Sequence, residues 1–299
     1  MNILITGAWS GWESCRAELE RMGHRVAFLQ QEKDELPVPY DWVEGTVCNG
    51  LFLHHDADRF PNLSYVQLTS AGFDRVPVEA FRSRGIRLNN ARGVYSIPMA
   101  EFALAGVLQL YKKTVFFREN QKLHRWEKHR QLLELAGKTV CILGCGSVGT
   151  ECARRFRAFG CQVNGVDLFP RENPDYNEMY PLEKLNIVLA RADVVVLTLP
   201  LTEDTRHLMD SKCFAAMKPG AVLVNIARGA IVDTDAMIQA LGENLGGAVL
   251  DVFEEEPLPD HSPLWDLENV ILTPHNSFVG EGNAVRLSQI IMSNLEKNT

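Results

Sequence analysis

The stretch that most constrains the fold of this chain runs from Thr139 to Asp167. An apolar run, Thr139-Val140-Cys141-Ile142-Leu143, is followed by Gly144-Cys145-Gly146-Ser147-Val148-Gly149, then a helical pattern ending at Phe159-Gly160, then Gln162 to Val166 and Asp167. Its order is strand, glycine turn, helix, strand, acid. The first glycine permits the tight turn, the second lets a pyrophosphate approach the main chain, and the third lets helix pack closely on strand. Unpaired N–H groups at the helix start then face the phosphates. Asp167 closes the second strand, where a carboxylate can accept hydrogen bonds from an adenosine ribose and repel a 2′-phosphate. The spacing therefore predicts an NAD(H) site, preferred over NADP(H), with Arg171 close enough in sequence to soften that exclusion.

At 299 residues the chain is long for one core, and two domains are expected. No apolar run approaches the ~18 residues needed to span a membrane. The start, Met1-Asn2-Ile3-Leu4-Ile5-Thr6-Gly7, lacks a basic leader segment and reads as a first strand. Seven cysteines form an odd set without a Cys-x-x-Cys pair. They read as reduced packing residues of a cytoplasmic protein, Cys141 and Cys145 among them. A formal charge of −8 argues against a nucleic-acid or anionic-membrane partner. An acidic substrate must be drawn in by a local cation.

Strand and helix signals alternate along the rest of the chain. Ile3 to Thr6 is a strand, and Ser10 with Glu13 predicts a capping box for a helix running to Gly23. Further short strands are expected at Arg25 to Leu29, Thr46 to Cys48, Tyr65 to Leu68 and Ile86 to Leu88. This opening region is α/β, but Thr6-Gly7-Ala8-Trp9 lacks the glycines that cradle a pyrophosphate, so it reads as a substrate-side lobe. One long helix is predicted from Ile97 to Glu119, with Phe102, Leu104-Ala105, Leu108 and Val115 as its packing face. After Asp167, strands at Asp193 to Leu197, Ala221 to Asn225, Gly247 to Asp251 and Val270 to Thr273 alternate with helices. That order implies a doubly wound parallel sheet of Rossmann type, and Asn283 to Lys297 is a final helix.

Ligands of such sheets sit beyond the carboxyl ends of the strands. Those ends carry Arg228, then Asp251 and Glu254-Glu255-Glu256, then His275. A guanidinium pairs bidentately with a carboxylate, an imidazolium donates a proton, and a carboxylate behind the imidazole orients it. Together they have the chemistry to reduce a 2-oxo acid. Residue order alone does not choose among the three glutamates. His54-His55-Asp56 lacks metal-ligand spacing and reads as structural, as do the other histidines, so no metal is expected.

Gly144 to Gly149, Met217-Lys218-Pro219-Gly220 through Arg228-Gly229-Ala230-Ile231-Val232-Asp233, Leu250-Asp251-Val252-Phe253-Glu254-Glu255-Glu256-Pro257 and Leu272-Thr273-Pro274-His275 closely resemble the D-isomer-specific 2-hydroxyacid dehydrogenases. The resemblance implies Arg228 as the substrate-binding arginine, His275 as the acid/base and Glu256 as its partner. It implies that Ser147, Val148, Asp167, Ile226, Ala227 and Asp251 line the cofactor with the glycine turn, and that Ser96 touches the nicotinamide side. Main-chain N–H groups at Ala71 and Gly72 would receive the substrate carboxylate. It also implies a flavodoxin-like substrate domain, residues 1–95 completed by 276–299, around a cofactor domain 96–275, and a homodimer joined through the cofactor domain.

The expected function is NAD-dependent interconversion of a small 2-oxo acid and its (R)/D-2-hydroxy acid. The alternatives are an NADH-sensing regulator of corepressor type and a formate- or phosphite-oxidising enzyme. Formate dehydrogenases of the superfamily place an amide where Glu256 stands.

Overall fold

The computed structural model describes residues 1–297. The chain divides into two compact units, Met1–Tyr95 with Gly280–Thr299, and Ser96–Val279. The return to the first unit thus falls after Val279, later than the expected 276. The cause lies within the second unit: the N–H groups of Asn276 and Ser277 donate to the Asp251 carboxylate at 2.7 and 2.9 Å, which keeps this segment with its sheet.

The first unit contains β1 (Asn2–Thr6), α1 (Trp12–Arg21), β2 (Arg25–Leu29), β3 (Gly45–Cys48), β4 (Tyr65–Leu68), α2 (Val78–Ser83) and β5 (Arg87–Asn89). Its strands are parallel in the order β2-β1-β3-β4-β5, the flavodoxin-like arrangement. Alternation along each strand sends side chains to opposite faces. Leu4, Cys48, Val66 and Leu68 join Leu51, Phe60 and Phe81 on one side. Ile3, Ile5, Val47 and Tyr65 join Trp9 and Leu19 on the other, where the helix Asn283–Glu296 adds Leu287, Ile291 and Leu295. The predicted capping box does not form: α1 is capped by Gly11 with no side-chain bond, because the chain begins the helix later than Ser10 requires. His55 is tied to the Tyr40 hydroxyl at 2.8 Å and the Glu32 carbonyl at 2.9 Å, a structural pairing.

The second unit opens with α3 (Ser96–Tyr111) and α4 (Thr114–Lys122). The single long helix expected here is broken at Lys113, which takes a left-handed φ of 50°. Its packing face is the expected one only in part: Phe102, Leu104 and Leu108 pack half-buried against the core. Small residues, Ala100, Ala103 and Gly106, face inward with Val107 and Tyr111, whereas Val115 is exposed. A Cβ on Gly106 would lie 2.5 Å from Val249 Cγ1, so the close approach of helix to sheet selects small residues at the point of contact.

Next come β6 (Thr139–Leu143), α5 (Ser147–Ala158), β7 (Gln162–Asp167), β8 (Glu178–Pro181), α6 (Leu185–Leu189), β9 (Val194–Leu197), α7 (Ser211–Ala216), β10 (Val222–Asn225), α8 (Thr234–Glu243), β11 (Gly247–Leu250) and β12 (Val270–Leu272). The parallel sheet runs β12-β11-β10-β9-β6-β7-β8. The short edge strand β8, polar at its start and closed by a proline, carries no alternation from which to predict it. Val194 and Val196 pack beneath α3 and α5, while Val195 and Leu197 pack toward α7 and α8. Each buried aliphatic side chain contributes about 1.5–3 kcal/mol, which makes β9 and β10 the anchor of the sheet. The order reverses between β6 and β9, and the glycine turn leaves β6 at that point. Among the described residues, no helix is long and apolar enough to cross a membrane.

Candidate active site

The glycine turn is held by its surroundings. Gly144 takes φ 92°, and a Cβ there would meet the Leu199 nitrogen at 2.6 Å. A Cβ on Gly149 would lie 2.2 Å from the Gly144 carbonyl oxygen. Thr198, at the end of β9, donates from its nitrogen to Leu143 O at 2.8 Å and from its hydroxyl to Gly144 O at 2.5 Å. Gly146 caps α5 with no side chain in the way. The first N–H groups of α5, from Ser147, Val148 and Gly149, have no intrahelical acceptors. This side-chain-free cradle at a helix N-terminus fits a dinucleotide pyrophosphate.

Asp167 stands at the end of β7. One carboxylate oxygen accepts the Cys145 N–H at 2.7 Å and the other accepts the Phe169 N–H at 3.0 Å. The acid is therefore fixed beside the turn. The Cys145 thiol is pushed up to about 12, chiefly by burial, so it remains protonated as a packing group.

Three neighbouring strands deliver the remaining polar residues. Arg228 follows β10, Asp251 follows β11 and His275 follows β12. The Glu256 carboxylate accepts from His275 Nδ1 at 2.8 Å and, through its second oxygen, from the Phe253 N–H at 3.0 Å. Nδ1 is thereby the protonated nitrogen facing the acid, which leaves Nε2 to exchange a proton. His275 itself has φ 51°, a left-handed conformation uncommon for a side-chain-bearing residue and a form of strain seen at functional sites. The Arg228 guanidinium donates to Ala227 O at 2.8 Å, and the Ala227 N–H is held by Asn225 Oδ1 at 3.1 Å. Gly229 lies directly against the Phe253–Glu254 peptide: a Cβ there would fall 1.8 Å from the Phe253 carbonyl carbon.

The three glutamates separate in space. Glu254 bonds His207 and Glu256 bonds His275, while Glu255 is exposed. His207, expected to be structural, meets a residue on another strand's loop, a contact that no local pattern announces. Asp251, expected along the cofactor, is fully buried. Besides Asn276 and Ser277 its carboxylate accepts the Thr273 hydroxyl at 2.6 Å, so it anchors the loop that carries His275. Ile226 and Ala227 are buried at the end of β10. Ser96 begins α3 with its Oγ buried and without a partner, an orphan that fits a contact to a bound group. In the first unit, Ala71 and Gly72 lie in a turn after β4, where Asn90 Nδ2 donates to Ala71 O at 2.6 Å and Ser70 Oγ to Gly72 O at 3.0 Å. Among the described residues, no group of three or more metal-ligating side chains gathers.

Residues 104–277 match the sequence profile described as D-isomer specific 2-hydroxyacid dehydrogenase, NAD binding domain. An (S)-sulfolactate dehydrogenase from Chromohalobacter salexigens is 37% identical over 80% of this chain and 78% of its own length. A crystal structure of a D-isomer specific 2-hydroxyacid dehydrogenase family protein from Aeromonas salmonicida is 33% identical. It covers 99% of this chain and 95% of its own, with a TM-score of 0.87. A further one from Xanthobacter autotrophicus Py2, in complex with NADPH and MES, is 28% identical with a TM-score of 0.81, over 99% of this chain and 95% of that chain.

Proposed function

The chain belongs to the D-isomer-specific 2-hydroxyacid dehydrogenase family, and on that premise we propose that it reduces a small 2-oxo acid to the (R)-2-hydroxy acid with NADH. Members of the family are NAD(P)-dependent oxidoreductases that interconvert 2-oxo and 2-hydroxy acids. The observation that carries the reading is the Glu256–His275 hydrogen bond of 2.8 Å, set at the ends of adjacent strands of the glycine-turn sheet.

A bound nicotinamide supplies or accepts the hydride. The glycine turn and the start of α5 hold its pyrophosphate and Asp167 its ribose, with Ser96, Ile226 and Ala227 toward the nicotinamide. Asp167 favours NADH over NADPH through charge repulsion with a 2′-phosphate. Arg228 pairs with the substrate carboxylate and draws electron density from the adjoining carbonyl. His275 delivers a proton from Nε2 to the carbonyl oxygen, and withdraws it in the reverse direction. Glu256 keeps the imidazole in the required tautomer and orientation through its bond to Nδ1.

The test follows NADH absorbance with glyoxylate, pyruvate, hydroxypyruvate and bulkier branched or aromatic 2-oxo acids, repeated with NADPH. Turnover of at least one acid, faster with NADH, is expected. Tight NADH binding with no turnover across the panel overturns the enzymatic reading in favour of a cofactor-sensing regulator. Formate oxidation is disfavoured by the acid at Glu256.

The same reading includes a homodimer joined through this unit. Its support is the exposed apolar surface after α3, where Trp126 is 97% exposed and Val115 and Leu123 more than half so. Light scattering that returns the monomer mass overturns it.

A further inference from the structure

We propose that His207 is a positioning residue for the reaction: it holds the turn that carries Glu256 in register with the turn that carries Arg228. This rests on the catalytic roles proposed above. His207 lies in the connection between β9 and α7 and reaches both turns at once. Its main-chain N–H donates to Ala230 O at 2.8 Å, two residues beyond Arg228. Its side chain donates from Nε2 to the Glu254 carboxylate, two residues before Glu256.

The main-chain contact is not isolated. Met209 N donates to Ile231 O at 3.0 Å and Asp233 N to Met209 O at 3.1 Å, a short ladder that fastens residues 207–209 along the segment following Arg228. On its far side that segment presents Gly229 to the Phe253–Glu254 peptide with no room for a Cβ. The two turns therefore press against each other, and the His207 imidazole bolts their free edge. Two parallel histidine–glutamate pairs result, His207 with Glu254 and His275 with Glu256, on one four-residue turn closed by the bond from Phe253 N to Glu256. His207 also takes a left-handed φ of 50°.

The His207 and Glu254 side chains are 46% and 32% exposed, and an ion pair so placed adds little to stability. Its effect lies in geometry. A loosened Glu256 widens the range of His275 orientations, and proton transfer depends steeply on that orientation.

The test compares His207→Gly, Glu254→Ala, the double variant and Glu256→Gln in the full-length chain. Glycine accepts the left-handed φ and keeps the N–H donated to Ala230, so His207→Gly removes only the side-chain contact. Each single variant is expected to lower kcat about tenfold, with the KM for the 2-oxo acid and the Kd for NADH unchanged. The double variant should lose no more than either single one, because both remove the same bond. Tm should move by less than about 2 °C. Parental kcat in both single variants, or losses that multiply in the double, overturns the role of His207 while a loss in Glu256→Gln leaves the reaction assignment standing. Parental kcat in Glu256→Gln overturns that assignment, and the role of His207 falls with it.

Discussion

Asp251 holds His275 through the main chain and the loop around it through the side chain: the His275 N–H donates to the Asp251 carbonyl at 2.8 Å, and the Asp251 carboxylate accepts from Thr273 and Asn276 on either side of the histidine. The left-handed His275 backbone is sustained by this anchor. Asp251→Asn replaces an acceptor-only group with one that presents an amide to a buried N–H or hydroxyl. A cost of about 1–3 kcal/mol in stability is expected, read as a lowered Tm, together with a fall in kcat as the loop relaxes. Parental Tm and kcat would remove the anchor role.

His275→Ala should lower kcat by about 10²–10⁴-fold while leaving the NADH Kd near the parental value, since the imidazole handles the proton and not the cofactor. Glu256→Gln should lose less, because an amide oxygen can still accept from Nδ1 but brings no charge. Stopped-flow kinetics and fluorescence titration with NADH separate the two quantities. A histidine variant that reduces 2-oxo acids at the parental rate excludes the acid/base assignment.

Asp167→Ser removes the charge that faces a 2′-phosphate and weakens the tie to the Cys145 N–H. The ratio of kcat/KM for NADH over NADPH is expected to fall by at least about tenfold, with some loss of NADH affinity as the glycine turn loosens. An unchanged ratio would place cofactor choice elsewhere, with Arg171 the next residue to vary.

His24 gives the first unit a sensitivity to acid. Burial, and then the charge of the amino terminus 3.3 Å from its Nδ1, hold its pKa below the usual value of 6.5, and its Nε2 is buried without a partner. The unfolded chain binds this proton more readily than the folded one. The stability His24 contributes is therefore fully present above 6.5 and is lost as pH falls through the lowered folded value. The Tm of the parent should drop as pH falls below 6.5, and His24→Gln should flatten part of that drop. Identical slopes for parent and variant would refute the assignment.

Much of this architecture is written locally. The apolar run, spaced glycines and acid from Thr139 to Asp167 announce a strand, a turn and a helix because each depends on neighbours a few residues apart. The strand-end positions of Arg228, Asp251 and His275 follow from the same alternation. Local signals also mislead where a contact from elsewhere competes. Ser10 and Glu13 have the spacing of a capping box, yet Gly11 caps the helix. The pattern from Ile97 to Glu119 is helical throughout, yet the chain turns left-handed at Lys113.

The alternating α/β order, the strand–turn–helix cradle and the residues at the strand ends are legible in the chain before it folds. Those outcomes depend on backbone stereochemistry and on a periodicity that repeats within a few residues. Which glutamate meets which histidine, the anchoring by Asp251 and the small residues that α3 turns to the sheet are visible only in the folded molecule. Each of those is a distance between segments remote along the chain, set when close packing of the sheet brings their ends together.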